Sequence, residues 1–219
     1  ERLKGGDTVE HDRISQDPDN QALSYIYLDG EKRKVPPFAL RNQDSLLITD
    51  KDYLGKVYVA EFFFTTCPTI CPIMNKNLVQ LQEEFRDFEE FGVASFTINP
   101  LYDTPGVLKK YAETYGITDM DWHLLTGDPE EIYELANAGF NIYAQQMPEV
   151  PGGFEHSGLF ALIDREGYIR SRKDSYGNPI VYYRGAIPES KGANEAGETE
   201  QISILKEDIR KLLEEGNGK

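Results

Sequence analysis

A run of almost unbroken apolar side chains, Val57-Tyr58-Val59-Ala60-Glu61-Phe62-Phe63-Phe64, stops just short of the segment Cys67-Pro68-Thr69-Ile70-Cys71-Pro72. A strand of that composition cannot leave either face to water, so it belongs at the centre of a sheet with cover on both sides. Directly beyond it, Met74, Leu78, Leu81, Phe85 and Phe88 recur at intervals of four and three, which makes one apolar stripe on a helix. The order strand, cysteine loop, helix confines the chain to layered α/β architectures and puts both cysteines where the strand turns into the helix.

The other segments extend that alternation. Residues 23–28 and 32–35 flank Asp29-Gly30, a dipeptide suited to a tight hairpin turn, and Pro36-Pro37 breaks the pairing. Strands are expected over 38–41, 46–49, 93–98 and 122–125, with a helix over 104–115 introduced by Thr104-Pro105. Asp128-Pro129-Glu130-Glu131 opens a helix expected to reach about residue 138, with Asp128 as N-cap. Residues 159–163 and 168–170 flank Asp164-Arg165-Glu166-Gly167 as an antiparallel hairpin, and Ile202, Leu205, Ile209 and Leu212 give a closing helix its stripe. Residues 171–199 are rich in Gly, Ser, Asn and Pro, with a tyrosine-bearing patch at 180–183, and read as a long surface excursion. Residues 1–21 are polar and show no periodicity, which predicts a flexible leader, and 22–219 form one domain.

Composition narrows the functional classes. A chain of 219 residues supports a single sizeable core, and none of its apolar runs approaches the roughly 20 residues that a spanning helix requires. The formal net charge of −15 opposes binding to nucleic acid or anionic lipid, so neither is expected as a partner. The sequence opens on Glu1, and a signal peptide or membrane anchor upstream is an expectation that the leader, as a tether, would serve. Only two cysteines are present, too few for a disulfide scaffold but suited to a redox pair or a metal site.

Pro72 disfavours helical geometry at the residue before it and lacks an N–H, so the helix is expected to begin near Pro72 with Cys71 as its N-cap and Cys67 in the preceding loop. The unpaired N–H groups of that helix start would lower the Cys71 pKa. A C-x-x-x-C pair by itself leaves a buried disulfide or two inert thiols in contention. Its position at a strand-to-helix junction, bracketed by prolines, favours reactive or metal-binding cysteines.

Several motifs in order now resemble one family. Phe62-Phe63-Phe64-Thr65-Thr66-Cys67-Pro68-Thr69-Ile70-Cys71-Pro72 is similar to the strand and CPxxCP loop of the Sco/SenC copper chaperones. Asp103-Thr104-Pro105 with Leu108 and Tyr111 is similar to their next helix start, and Thr126-Gly127 and His156-Ser157 leading into Leu162-Ile163-Asp164 and Gly167 complete the pattern. The resemblance covers roughly residues 36–170 and the last helix. One departure is Asn99-Pro100, where the family commonly has an aspartate before the proline; Asp103 is kept.

The resemblance implies a thioredoxin-like fold, here with an N-terminal β-hairpin extension and a loop insertion before the C-terminal helix. It implies an extracytoplasmic domain, in the periplasm or its equivalent, tethered to a membrane. It also implies copper held by Cys67, Cys71 and His156, for delivery to a respiratory cytochrome c oxidase. The expected partners are the oxidase subunit carrying a copper site and a copper donor protein, and the chain is expected to be a monomer.

Two thiolates and an imidazole form a soft three-coordinate set that suits Cu(I), with Cu(II) as a further state, whereas zinc would want a fourth ligand. A disulfide between Cys67 and Cys71 would remove both thiolates, so loading requires the reduced chain. His156 follows Pro151-Gly152-Gly153, whose glycines allow the loop to move, while His11 in the leader and His123 beside Trp122 in a short strand read as surface or packing residues. Met74, Met120 and Met147 are not assigned as ligands.

The rival function is a thiol-disulfide oxidoreductase that uses Cys67 and Cys71 as its redox pair and keeps the cysteines of the oxidase copper site reduced. Against it stand the C-x-x-x-C spacing and His156-Ser157 in place of the proline usual in thioredoxins. A peroxiredoxin-like peroxidase is disfavoured by Phe64 and Ala60 at positions where Thr and Pro would be expected.

Overall fold

The computed structural model describes residues 22–149 and 152–215, with the side chains of Glu155 and His156 outside the description. The expected leader over 1–21 also lies outside the described residues. The strands are β1 (Ser24–Tyr25), β2 (Tyr27–Leu28), β3 (Glu31–Lys32), β4 (Ala39–Arg41), β5 (Leu47–Thr49), β6 (Val57–Phe63), β7 (Phe91–Thr97), β8 (Trp122–Leu125), β9 (Ala144–Gln146), β10 (Phe154–His156), β11 (Leu159–Ile163), β12 (Ile169–Ser171) and β13 (Tyr183–Arg184). The helices are α1 (Cys71–Phe85), α2 (Pro105–Tyr115), α3 (Pro129–Glu134) and α4 (Ile202–Glu215).

The apolar run does take the centre. All seven residues of β6 are buried, in a sheet of order β1-β12-β11-β6-β7-β8 with β13 also joined to β11. Strands β6, β7 and β8 are parallel, and β11 runs antiparallel to β6. The two crossovers through α1 and α2 step the same way across the sheet, so their handedness sends both helices to one face. On that face Asn75 of α1 donates to the Tyr111 hydroxyl of α2 at 2.7 Å, and Arg210 of α4 pairs with Glu84 of α1. Side chains alternate along a strand, so the opposite face presents Phe62 and Phe96. There Phe38 and Phe140 pack edge-on at 5.2 and 5.5 Å, and the Arg33 guanidinium caps Ala138 and Gly139 carbonyls. This is the expected thioredoxin-like arrangement.

The N-terminal hairpin is present: Asp29 and Gly30 both have positive φ, 52° and 83°, the backbone that a two-residue turn between β2 and β3 needs. Asp128 caps α3 as expected, accepting from the Glu130 and Glu131 amides, and a π-helical turn over Leu135–Phe140 carries the helix on. No helix among the described residues is long and apolar enough to cross a membrane.

The insertion before α4 corrects one expectation. Residues 171–199 are not all surface: β13 pairs with the half of β11 that β12 leaves open, and Tyr183 is wholly buried. The Tyr183 hydroxyl donates to the buried Asp208 carboxylate at 2.7 Å, and Arg172 grips the same carboxylate through Nε and Nη2, both at 2.8 Å. Asn77 of α1 donates to the Gly185 carbonyl at 2.8 Å, and a Cβ at Gly185 would lie 2.6 Å from the Phe160 ring. Polar composition suggested a solvated loop, but long-range partners recruit its middle into the sheet. Residues 173–179, all exposed, and the tip where Asn194 closes a turn on Glu198 are the parts that lie at the surface as expected.

Glu61 is the one charged residue type in β6. It is fully buried, accepts a 2.7 Å hydrogen bond from Ser95, which in turn accepts from Trp122, and burial pushes its carboxyl from the ordinary 4.5 up to about 8.

Two outcomes follow from this packing. Tyr183→Ala should cost about 3–5 kcal/mol in chemical denaturation, whereas removing residues 195–197 from the tip should cost far less; equal costs would mean that the insertion is anchored elsewhere. The folded state keeps Glu61 neutral at pH values where the unfolded chain ionises it, so stability should fall as pH rises from 4.5 to about 8. Relative to Glu61→Gln, metal-free wild type should lose on the order of 3–5 kcal/mol across that window, and parallel stability profiles for the two proteins would rule this out.

Candidate metal centre

The ladder between β6 and β7 stops at Phe63 and Thr97, and α1 starts at Cys71, so the cysteine loop is a short span held by rigid elements at both ends. The Cys67 amide donates to the Phe64 carbonyl at 3.2 Å, folding the chain back. The Cys71 amide then donates to the Cys67 sulfur at 3.5 Å, and the Thr69 hydroxyl lies 3.6 Å from the same sulfur. Cys71 is completely buried and Cys67 is 7% exposed, so the pair opens to solvent on the Cys67 side.

Two expectations about this loop need correction. The N-cap is Ile70, with helical φ and ψ of −88° and −33°, and Cys71 is the first residue of the helix. Pro72 sits in the first turn, where a missing N–H costs nothing and where the expected restriction on Cys71 is overcome by the fit of the helix to the sheet. The amide at the helix start therefore serves the sulfur of Cys67 rather than that of Cys71. Nor is the Cys71 thiol made more acidic: burial, then its hydrogen bond with Cys67 and the neighbouring charges, push it upward, and the Phe64 backbone bond opposes this only in part. A bound soft cation would reverse that balance, because a coordinating thiol is deprotonated by the ion's own charge.

The backbone of His156 closes β10, opposite Ala144 of β9, in a two-stranded sheet apart from the main one. Its side chain is outside the described residues. Glycines on either side of β10 bring the segment onto the cysteine loop. A Cβ on Gly152 would meet the Phe64 ring at 2.8 Å and Pro68 at 3.0 Å, and one on Gly158 would meet Ile70 at 3.1 Å. Both have positive φ, and Phe154 between them packs its ring 5.2 Å from that of Phe64.

The other candidates lie elsewhere. His123 is on the edge strand β8, its ring 5.9 Å from Tyr53 and its Nδ1 3.2 Å from the Asn42 amide, and burial lowers its pKa; it is the packing residue expected. Met74 is buried in the core, Met120 is exposed, and His11 lies outside the described residues. Among the described residues no cluster of three or more His, Cys, Asp or Glu side chains has the form of a metal site.

Sequence reasoning missed the supports of the loop. Asp103, wholly buried, accepts from the Thr65 amide at 3.1 Å and from the hydroxyls of Thr65 and Thr97. Asn75 donates to the Cys71 carbonyl at 3.0 Å. Asn99, where the family motif departs, contributes through its backbone: its amide donates to the Thr97 hydroxyl at 3.1 Å and its carbonyl accepts from Tyr102 and Asp103. The paired signal was Thr65 before the cysteines and Asp103 before Thr104-Pro105, but nothing in the sequence states that they meet.

A family model for SCO1/SenC matches residues 28–184. A SCO1 protein homolog of Bacillus subtilis is 32% identical over 163 residues, covering 74% of this chain and 83% of its relative. The solved structure of BsSco, a member of the Sco family of cytochrome c oxidase assembly proteins with an identified disulfide switch, superposes with a TM-score of 0.64 at 27% identity, over 83% of this chain and 94% of that one. Bradyrhizobium japonicum ScoI, solved with copper bound, gives a TM-score of 0.53 at 27% identity, over 64% and 89% of the two chains. With most of its length inside one family model and its fold shared with that family's solved members, this chain belongs to the SCO1/SenC family.

Proposed function

We propose that this chain is a copper chaperone that holds copper through the Cys67 and Cys71 thiolates and the His156 imidazole, and delivers it to the copper site of a respiratory cytochrome c oxidase. The observation that carries the reading is the convergence at the head of α1. One sulfur accepts the helix's first amide, the second is buried beside it, and the glycine-flanked strand that ends in His156 is folded onto the same loop. A copper-bound relative and a relative described by its oxidase-assembly family support it.

The chemistry follows from the environment. Two thiolates are costly in this buried setting without a cation, so a soft monovalent ion and the loss of two thiol protons stabilise each other. Uptake should therefore strengthen as pH rises. The slight opening at Cys67 is where a recipient's ligands would enter, and a third donor on a glycine-flanked segment would let the ion pass by exchange rather than by release into water. The recipient would be the oxidase subunit bearing the copper site, the source a copper donor protein, and the acting species a monomer. In this reading the domain works outside the cytoplasm, tethered to a membrane.

A second reading has its own observation in favour. The Cys71 amide lies on the Cys67 sulfur, a geometry that also stabilises an attacking thiolate, and BsSco carries a disulfide switch. A thiol-disulfide oxidoreductase acting on the oxidase cysteines would need only the two sulfurs.

Anaerobic titration of the reduced chain should give one Cu(I) per monomer with copper–sulfur scattering in X-ray absorption. Equal uptake by the disulfide form, or absence of that scattering, would reject the site. His156→Ala should leave the domain folded and both sulfurs bound but weaken copper retention against a chelator by more than the roughly 10–100-fold typical of losing an outer-shell partner. An unchanged affinity in a folded variant would remove His156 from the ligand set.

The two readings separate on transfer. His156→Ala should stop copper delivery to the isolated copper-binding domain of the oxidase while sparing reduction of that domain's cysteines. Normal delivery by the variant would sink the three-ligand chaperone, and reduction without any delivery by wild type would establish the reductase.

A further inference from the structure

We propose that Asp103 is a positioning residue for the copper site: its buried carboxylate holds the cysteine loop in the shape that binds the ion. The inference rests on the copper reading above. Asp103 has no exposed surface and takes three hydrogen bonds, from the Thr65 amide, the Thr65 hydroxyl and the Thr97 hydroxyl. Among the described residues no Lys, Arg or His lies within ion-pair distance of it, so these donors are what satisfies the buried group. A carboxylate accepts only, and a backbone N–H cannot turn away as a hydroxyl can, so the bond to the Thr65 amide fixes the chain direction two residues before Cys67.

The place of this clamp argues for the site rather than for the sheet. The β6–β7 ladder ends at Phe63 and Thr97, closed by the Ile98 amide on the Phe63 carbonyl at 2.8 Å, so the sheet needs nothing further. Helix α1 is held through its own turns and through Asn75 and Asn77. Between them, the hydrogen bond that the Thr65 amide donates to Asp103 ties the second loop residue to a different part of the chain. Its own backbone is fixed in turn: the Asp103 amide donates to the Asn99 carbonyl at 2.9 Å, and Thr97 is oriented by the Asn99 amide at 3.1 Å. The second parallel strand thus sets where Cys67 stands relative to Cys71.

The test uses the full chain. Asp103→Asn replaces one acceptor oxygen with a donor and so sets an amide against Thr65 or Thr97 while keeping volume. Its Cu(I) affinity, read by competition with a chelator, should fall by about tenfold or more, with both copper–sulfur contacts retained in X-ray absorption. Amide hydrogen exchange in the metal-free protein should quicken at Thr65 to Cys67 and stay unchanged in α4. Thr97→Val, which removes one donor from the far side of the clamp without touching the loop, should move both readouts the same way by less, and it stands in if the first variant does not fold. Unchanged affinity and unchanged loop exchange in a folded variant would overturn the assignment. If wild type takes up no copper, the proposed function fails and a copper role for Asp103 fails with it. If wild type binds and the variants bind equally well, the proposed function stands and only this assignment falls.

Discussion

Covering β6 on both faces is the constraint around which the molecule is arranged. Its residues are all buried, and each large apolar side chain removed from water contributes about 1.5–3 kcal/mol. That cover needs α1, α2 and α4 on one face and the Phe38, Phe96 and Phe140 cluster on the other. The helix that follows β6 must return across it at once, so the connection is short and both its ends are rigid. A loop in that position can hold two side chains close together without a metal or disulfide to organise it, and the two cysteines occupy it.

Among the buried ionisable groups of the core, Asp208, Asp103, Glu61 and Cys71 are accommodated in three ways. Asp208 is paired with Arg172 and Tyr183, which links the insertion to α4. Asp103 is surrounded by one amide and two hydroxyls, a solution in which a neutral environment orients its donors around the acceptor. Glu61, with only the Ser95 hydroxyl on one oxygen, is held neutral well above the usual carboxyl range. Cys71 is likewise held as the thiol by burial. The last two sit on the α1 and α2 side of the sheet, where burial, with a smaller contribution from the Glu61 carboxyl, pushes the Cys71 thiol up. That property suits a site whose occupancy depends on an incoming metal.

Much of this was legible before any coordinates. The strand that opens at Val57, the helix stripe from Met74 to Phe85, the hairpin at Asp29-Gly30 and the N-cap at Asp128 all rest on local chemistry, on period, turn geometry and capping, and they form as expected, whereas Phe88, expected on the same stripe, lies past the end of α1 and is exposed. The candidate site was legible in the sequence only as a set of residue types, because the cysteine spacing and its junction are local as well. The errors were long-range ones. Tyr183 lies in a polar stretch whose composition describes its neighbours in sequence, whereas its burial is set by β11 and Asp208. The acidity expected of Cys71 considered the helix start and could not weigh the desolvation that packing imposes.

The amino-acid order alone determined most of the helices and the central strands, the junction that carries Cys67 and Cys71, and the soft character of those two sulfurs, since each depends on residues a few positions apart. Tertiary structure decided which amide meets which sulfur, how deep Cys71 lies, and that Asp103 reaches Thr65 across 38 residues of sequence. It also decided that Gly152 and Gly158 lay the His156 segment on Pro68 and Ile70. These contacts join residues far apart in the chain, and their energies exist only after the sheet has brought its strands together.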